Sequence, residues 1–133
     1  LIESELLGTE VSVGAYKDKG QIQVLNPTEI VSENDFFDYE AKYLGKSQEI
    51  TPARISDKDK KAVQQVTKHI YKLLNMEGVT RSDFIIQDGI PYFIEINTTP
   101  GLSKESIIPK QLDDAQIPLT SFFTMLLKNA LKG

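Results

Sequence analysis

The stretch RSDFIIQDGIPYFIEINTTPG, residues 81–101, constrains the fold of this chain more than any other. Two apolar-rich runs flank Asp88-Gly89, a dipeptide suited to the positive φ values of a tight hairpin turn. Successive strand side chains alternate between faces and directly opposed residues share one, so the turn length decides which side chains meet. A two-residue turn pairs Gln87 with Ile90 and Ser82 with Glu95, which puts Glu95 on the face of Phe84 and Ile86. A three-residue loop, Gln87-Asp88-Gly89, pairs Ile86 with Ile90 instead. Phe84, Ile86, Ile90, Tyr92, Ile94 and Ile96 then share one face, while Arg81, Asp83, Ile85, Phe93, Glu95 and Asn97 share the other. The second register separates core from chemistry and is the one expected.

A face carrying Asp83, Glu95 and Asn97 collects oxygen ligands only, which suits a hard cation such as Mg²⁺. Arg81 is out of place beside a purely structural cation but is expected where metal and arginine jointly neutralise a transferring phosphoryl group. The plainer alternative is an exposed hairpin face with an ordinary Arg-Glu cross-strand pair.

Composition narrows the remaining chemistry. The 133 residues are 40% hydrophobic and 26% charged, ordinary for one globular domain with its own core. A formal charge of −4 argues against duplex binding, which requires Lys and Arg to neutralise phosphates. There is no cysteine and His69 is the single histidine, so disulfides, thiolate metal sites and Ser-His or Cys-His hydrolysis are disfavoured. His69 falls between core positions of a helix and reads as structural or exposed. No apolar run approaches the roughly 18 residues of a membrane span, and a cytoplasmic location is expected. The chain opens at Leu1 without an initiator methionine or a basic signal region, which suggests a piece of something longer.

Upstream, LLGTEVSVGAYKDKGQIQVLNPTEIV reads as a first hairpin turning at Lys17-Asp18-Lys19-Gly20. Ser32 to Thr51 reads as a long ordered loop. Ser56 caps a helix with Asp59 at its third position, carries an apolar stripe through Val63, Val66, Ile70 and Leu74, and ends at Gly78. After Pro100-Gly101 a short helix starts near Ser106, followed by an amphipathic helix through Phe122, Phe123, Leu126, Leu127 and Leu131. Phe84, Ile86, Tyr92, Ile94 and Ile96 are expected to pack on Val63, Val66, Ile70 and Leu74. The fold class is α+β, an antiparallel sheet of hairpins packed against helices.

TRSDFIIQDGIPYFIEINTTPGLSKESIIP closely resembles the carboxy-terminal ATP-grasp motif of D-alanine-D-alanine ligases. FFDYEAKY, residues 36–43, resembles that family's loop over the active site, and ESELLGTEVSV, residues 3–13, its nucleotide-hinge segment. The resemblance implies that residues 1–133 form a carboxy-terminal ATP-grasp catalytic subdomain of a longer ligase, lacking the amino-terminal and central domains. It implies an ATP-dependent reaction: one D-alanine carboxylate is phosphorylated, and the amine of a second D-alanine attacks the acyl phosphate, giving the dipeptide of peptidoglycan. It implies Mg²⁺, two ions with Mn²⁺ as a substitute, and it is compatible with a homodimer of the full-length enzyme, with no nucleic acid or membrane as partner.

Residue by residue, the resemblance makes Asp83, Glu95 and Asn97 metal ligands, with Glu95 between two ions that link the β- and γ-phosphates. Arg81 stabilises the transferring phosphoryl, helped by the Gly101 N–H. Lys42 contacts phosphate. Glu10 contacts ribose, Glu3 and Leu6 read adenine, and Phe36 and Ile85 wall the base. Ser106 and Ile107 receive the second substrate's carboxylate at a helix start, and Tyr43 marks the dipeptide-forming loop. The rival readings are a D-alanine-D-lactate ligase and a noncatalytic Mg-nucleotide binding module. The chain alone is expected to be inactive, with Phe36 to Lys46 exposed and partly disordered.

Overall fold

The computed structural model describes residues 8–31, 48–102 and 106–132. Six strands form one antiparallel sheet: β1 (Thr9–Asp18), β2 (Gln21–Val24), β3 (Thr28–Val31), β4 (Gln48–Ile50), β5 (Thr80–Gln87) and β6 (Ile90–Asn97). Among the described residues three helices accompany them: α1 (Asp57–Leu73), α2 (Ile107–Asp114) and α3 (Leu119–Lys132). The sheet order is β4-β3-β1-β5-β6, with β2 paired to the far end of β1. This is the expected α+β class. The expected first hairpin is three strands rather than two, because Leu25–Pro27 interrupts the second run and Pro27 has no N–H to donate to a ladder. β4 falls inside the segment read as a loop and pairs with β3.

Strand β1 organises everything else. Its residues Val11, Val13 and Ala15 are fully buried on one face, where Val63 of α1 and Phe84 and Ile86 of β5 complete a core with Val66 and Ile70 packed against it. On the opposite face Tyr16 joins Leu25, Ile108, Leu112 and Phe122 in a second core under α2 and α3, with the Tyr16 and Phe122 rings edge-on at 5.0 Å. Each core side chain of this kind contributes roughly 1.5–3 kcal/mol of burial. Tyr92 and Ile94, expected in the core, are 40% and 46% exposed, and Leu74 is 49% exposed. Strand β6 ends the sheet order, and its register sets Tyr92 opposite Ile85 and Phe93 opposite Phe84, with Ile94 left unpaired between them and Glu95, so neither Tyr92 nor Ile94 joins the Phe84 core.

Ser56 caps α1 as its sequence suggests, its hydroxyl accepting the Asp59 N–H at 3.1 Å. The helix ends at Leu73, earlier than the glycine, because Asn75 already adopts φ 54° and reverses the chain. Gly78 then accepts a hydrogen bond at its carbonyl from the Tyr71 hydroxyl, and burial pushes that phenol up to about 12. No described helix is long and apolar enough to cross a membrane.

Candidate active site

The β5–β6 hairpin is built differently from either simple register. Asp88 and Gly89 both have positive φ, 54° and 76°, so the turn has two residues and pairs Gln87 with Ile90. Pairing then runs through Ile86–Pro91, Ile85–Tyr92 and Phe84–Phe93 before a β-bulge at Ile94 shifts it. Beyond the bulge Asp83 faces Glu95 and Arg81 faces Asn97. The expected three-residue loop is therefore wrong, and with it the placement of Phe93, which lies across from Phe84 with ring centroids 5.8 Å apart. The expected grouping of Arg81, Asp83, Glu95 and Asn97 on one face nevertheless holds, because one extra residue on β6 restores the parity that the shorter turn removes.

Pairing of β1 with β5 extends this face inward. Gly14 lies opposite Arg81, Ser12 opposite Asp83, and Glu10 opposite Ile85. The face thus runs from a guanidinium, through a carboxylate pair, to an apolar side chain next to Glu10. Ile85 lies four residue steps beyond Arg81, about 13 Å at the usual strand rise of about 3.3 Å. Asp83 is buried, and its Oδ1 accepts the Ser12 hydroxyl at 2.7 Å and Arg81 Nε at 3.2 Å, while Arg81 Nη2 reaches Oδ2 at 3.3 Å. Arg81 and Asp83 are thereby held side by side, two residues apart on one strand. Glu95, directly across, is exposed. Asn97 turns its Oδ1 toward the Thr99 N–H at 2.9 Å, which fixes the chain's exit from the sheet toward Pro100-Gly101.

Among the described residues no group of three or more His, Cys, Asp or Glu comes together as a metal cluster. Asp83, Glu95 and the Asn97 amide are the oxygen set that remains. Two carboxylates are the protein share that suits Mg²⁺, which keeps waters and takes phosphate oxygens rather than an all-protein cage. The donor set fits that ion.

The second half of the site lies at the start of α2. Ser106 is its N-cap, in extended conformation, and its side chain makes no hydrogen bond to the helix's own N–H groups. Gly101 lies against it: a Cβ at Gly101 would stand 2.7 Å from Ser106 Oγ. The helix is set close to the sheet by Gly14, where a Cβ would meet Ile108 Cδ1 at 2.6 Å and Gln111 Oε1 at 2.7 Å. The Ile107 side chain is buried, so only its backbone is available to a ligand. The structure thus joins Gly101 to Ser106, and Glu10 and Ile85 to Asp83. Glu3, Leu6, Phe36, Lys42 and Tyr43, and the segment Phe36 to Lys46, lie outside the described residues. Ser12 is a hydrogen-bond partner of Asp83 that the hairpin's own sequence does not reveal. Its only signal is a polar residue between Val11 and Val13, which becomes meaningful once β1 is paired to β5.

A family model described as D-ala D-ala ligase C-terminus matches residues 1–128. Among curated relatives, a D-alanine--D-alanine ligase of Christiangramia forsetii is 55% identical over 131 residues, 98% of this chain and 40% of that protein. One from Flavobacterium psychrophilum is 65% identical over 111 residues, 84% of this chain and 34% of that protein. Among solved structures, D-alanyl-alanine synthetase A from Vibrio cholerae aligns with a TM-score of 0.83 at 26% identity, over 98% of this chain and 41% of that one. A D-alanine--D-alanine ligase from Bacillus anthracis complexed with ATP aligns with a TM-score of 0.78 at 26% identity, over 98% of this chain and 40% of that one. The chain spans about 40% of the length of the first two curated relatives it matches. With an ATP-grasp fold and a family match over nearly its whole length, this chain belongs to the D-ala D-ala ligase C-terminus family.

Proposed function

We propose that this chain is the carboxy-terminal catalytic part of an ATP-dependent ligase that joins two D-alanines through an acyl phosphate, in the cytoplasm, for peptidoglycan precursors. The observation that carries the reading is the opposition of Asp83 and Glu95 across the bulged hairpin, with Arg81 two residues from Asp83 on the same face. Ile85 and Glu10 would hold the base side of a nucleotide along β1 and β5, and Asp83 and Arg81 would face its phosphates. Asp83, Glu95 and Asn97 would hold one or two Mg²⁺ ions, whose charge would offset that of the phosphate oxygens. Arg81, fixed by its two bonds to Asp83, holds positive charge where negative charge grows during transfer. The Gly101 N–H and the first N–H groups of α2 bind anionic oxygens on the far side, which places the second D-alanine's carboxylate at Ser106-Ile107 and its amine toward the acyl phosphate. Attack expels phosphate and forms the amide bond, and the amine's proton leaves with it. From the sequence resemblance, Lys42 adds a phosphate contact, Glu3, Leu6 and Phe36 complete the base pocket, and Tyr43 favours an amine acceptor.

The test is the protein expressed with its upstream reading frame and incubated with ATP, Mg²⁺ and D-alanine. D-alanyl-D-alanine and ADP should form in equal amounts. Efficient depsipeptide synthesis with D-lactate near neutral pH would assign it to the rival ligase, and nucleotide binding without turnover would reduce it to a binding module.

A further inference from the structure

Gln111 is a fully buried polar residue outside the site, with no accessible surface at all, and nothing in the reaction as described uses it. Burying a primary amide is unfavourable unless its donors and acceptor are satisfied. Here they are: Oε1 accepts the Gly14 N–H at 2.9 Å, and Nε2 donates to the Ser12 carbonyl and to Thr28 Oγ1, both at 2.9 Å. The bonds fall where β1 changes neighbours. Its Glu10–Ser12 section pairs with β3 and its Ala15–Asp18 section with β2, and Leu25–Pro27 loops out between them. The amide fills that gap as a short surrogate strand. The two residues it grips, Ser12 and Gly14, are the β1 partners of Asp83 and Arg81.

Ridge-into-groove packing by Ile108 and Leu112 leaves a helix free to slide or roll by a fraction of a residue; three directional bonds, two to the β1 backbone and one to Thr28 of β3, do not. Gln111 lies one helical turn after Ile107. We propose that Gln111 is a positioning residue that locks the N-terminus of α2, and with it the acceptor-carboxylate site, to the β1 residues behind Arg81 and Asp83. The proposal rests on the function proposed above. Its consequence is selective: loss of the amide should disturb the second substrate more than the nucleotide, whose contacts come from the strands.

The test uses the ligase containing this chain. Gln111→Met keeps the volume and removes all three bonds. The KM for the second D-alanine should rise about tenfold or more, since misplacement of a substrate by about 1 Å is enough for such losses, with the KM for ATP within about twofold. Thr28→Val removes one of the three Gln111 bonds together with the Thr28–Thr51 hydroxyl bond, and should fold even if Gln111→Met does not; it should give a smaller rise of the same kind, which Thr51→Val, losing only the hydroxyl bond, should not. Parallel loss of all kinetic parameters, or a fall in melting temperature with the acceptor KM unchanged, would overturn the proposal by showing a merely structural role. Wild-type enzyme runs in the same assay: if it makes no dipeptide, the functional reading fails, whereas an active wild type with an unaltered acceptor KM in Gln111→Met and Thr28→Val defeats this inference alone.

Discussion

The Ser12 hydroxyl donates to Asp83 Oδ1 across the β1–β5 ladder at 2.7 Å, on the side of the sheet opposite the Val63–Phe84 core. A short bond to a buried carboxylate is stronger than one between neutral groups. It also leaves Asp83 with a fixed orientation toward Arg81. Ser12→Ala should destabilise the protein by about 1–3 kcal/mol, as expected when a buried acceptor loses a donor, and should raise the Mg²⁺ concentration needed for half-maximal ligation. Ser12→Thr, which keeps the hydroxyl, should stay near wild type. Denaturant unfolding and a Mg²⁺ titration of the initial rate are the two measurements, and an unaltered Mg²⁺ requirement in Ser12→Ala would remove Ser12 from the site.

Glu95→Gln separates fold from catalysis. Glu95 is exposed and opposed to Asp83 rather than packed in either core, so the size-matched amide should leave thermal unfolding unchanged. Ligation should fall by about a hundredfold or more, because the lost charge weakens the neutralisation of phosphate oxygens. Steady-state rates beside a melting curve decide it, and near-normal ligation would contradict the metal assignment.

Gly101→Ala probes the other half of the site. The added methyl would stand 2.7 Å from Ser106 Oγ, so either the cap or the loop must yield. Acceptor affinity should fall about tenfold while ATP affinity holds, by the positional sensitivity of oriented substrates. Isothermal titration with nucleotide alone, beside acceptor kinetics, distinguishes this from general damage.

A pH effect should come from the outer strands. Arg54 donates through Nε and Nη2 to the two carboxylate oxygens of Glu29, at 3.0 and 3.1 Å, and its backbone N–H reaches Oε1 at 3.1 Å. These hydrogen bonds hold the Glu29 carboxyl below its ordinary value of 4.5. A carboxyl whose folded pKa is depressed contributes stability that is fully present above its unfolded pKa and is lost as pH falls through the folded one. Glu29→Gln should therefore melt below wild type at neutral pH, and the two curves should converge once the pH is taken well under 4.5. A gap that persists there would mean that the clamp is steric rather than ionic.

Thr80 offers a stabilising change. Its side chain is 1% exposed, and its Oγ1 is buried without a hydrogen-bond partner among the described residues. Replacing it by the isosteric valine should raise stability by about 1 kcal/mol, the usual cost of an unsatisfied buried hydroxyl. Chemical denaturation would settle the sign.

The sequence by itself determined the local elements and the chemical character of one face. The Ser56 cap, the turn residues Asp88-Gly89, and the presence of Arg81, Asp83, Glu95 and Asn97 on one hairpin are properties of neighbours in the chain, governed by propensity and by the two-residue period of a strand. The family motifs then supplied roles. What only the tertiary structure decided is which residues lie opposite which. The bulge at Ile94 could not be read from alternation, because an extra residue and a longer turn restore the same parity by different routes. Tyr92 and Ile94 look like core residues in the sequence, yet the two-residue turn pairs Tyr92 with Ile85 and the bulge leaves Ile94 unpaired, and register depends on how the strands pair rather than on side-chain type. Ser12 carried only the signal of a polar residue between two valines, and Gln111 none that was used: their partners, Asp83 and the β1 backbone, are 71 to 99 residues away, and a buried polar side chain acquires its meaning only from the distant groups that satisfy it.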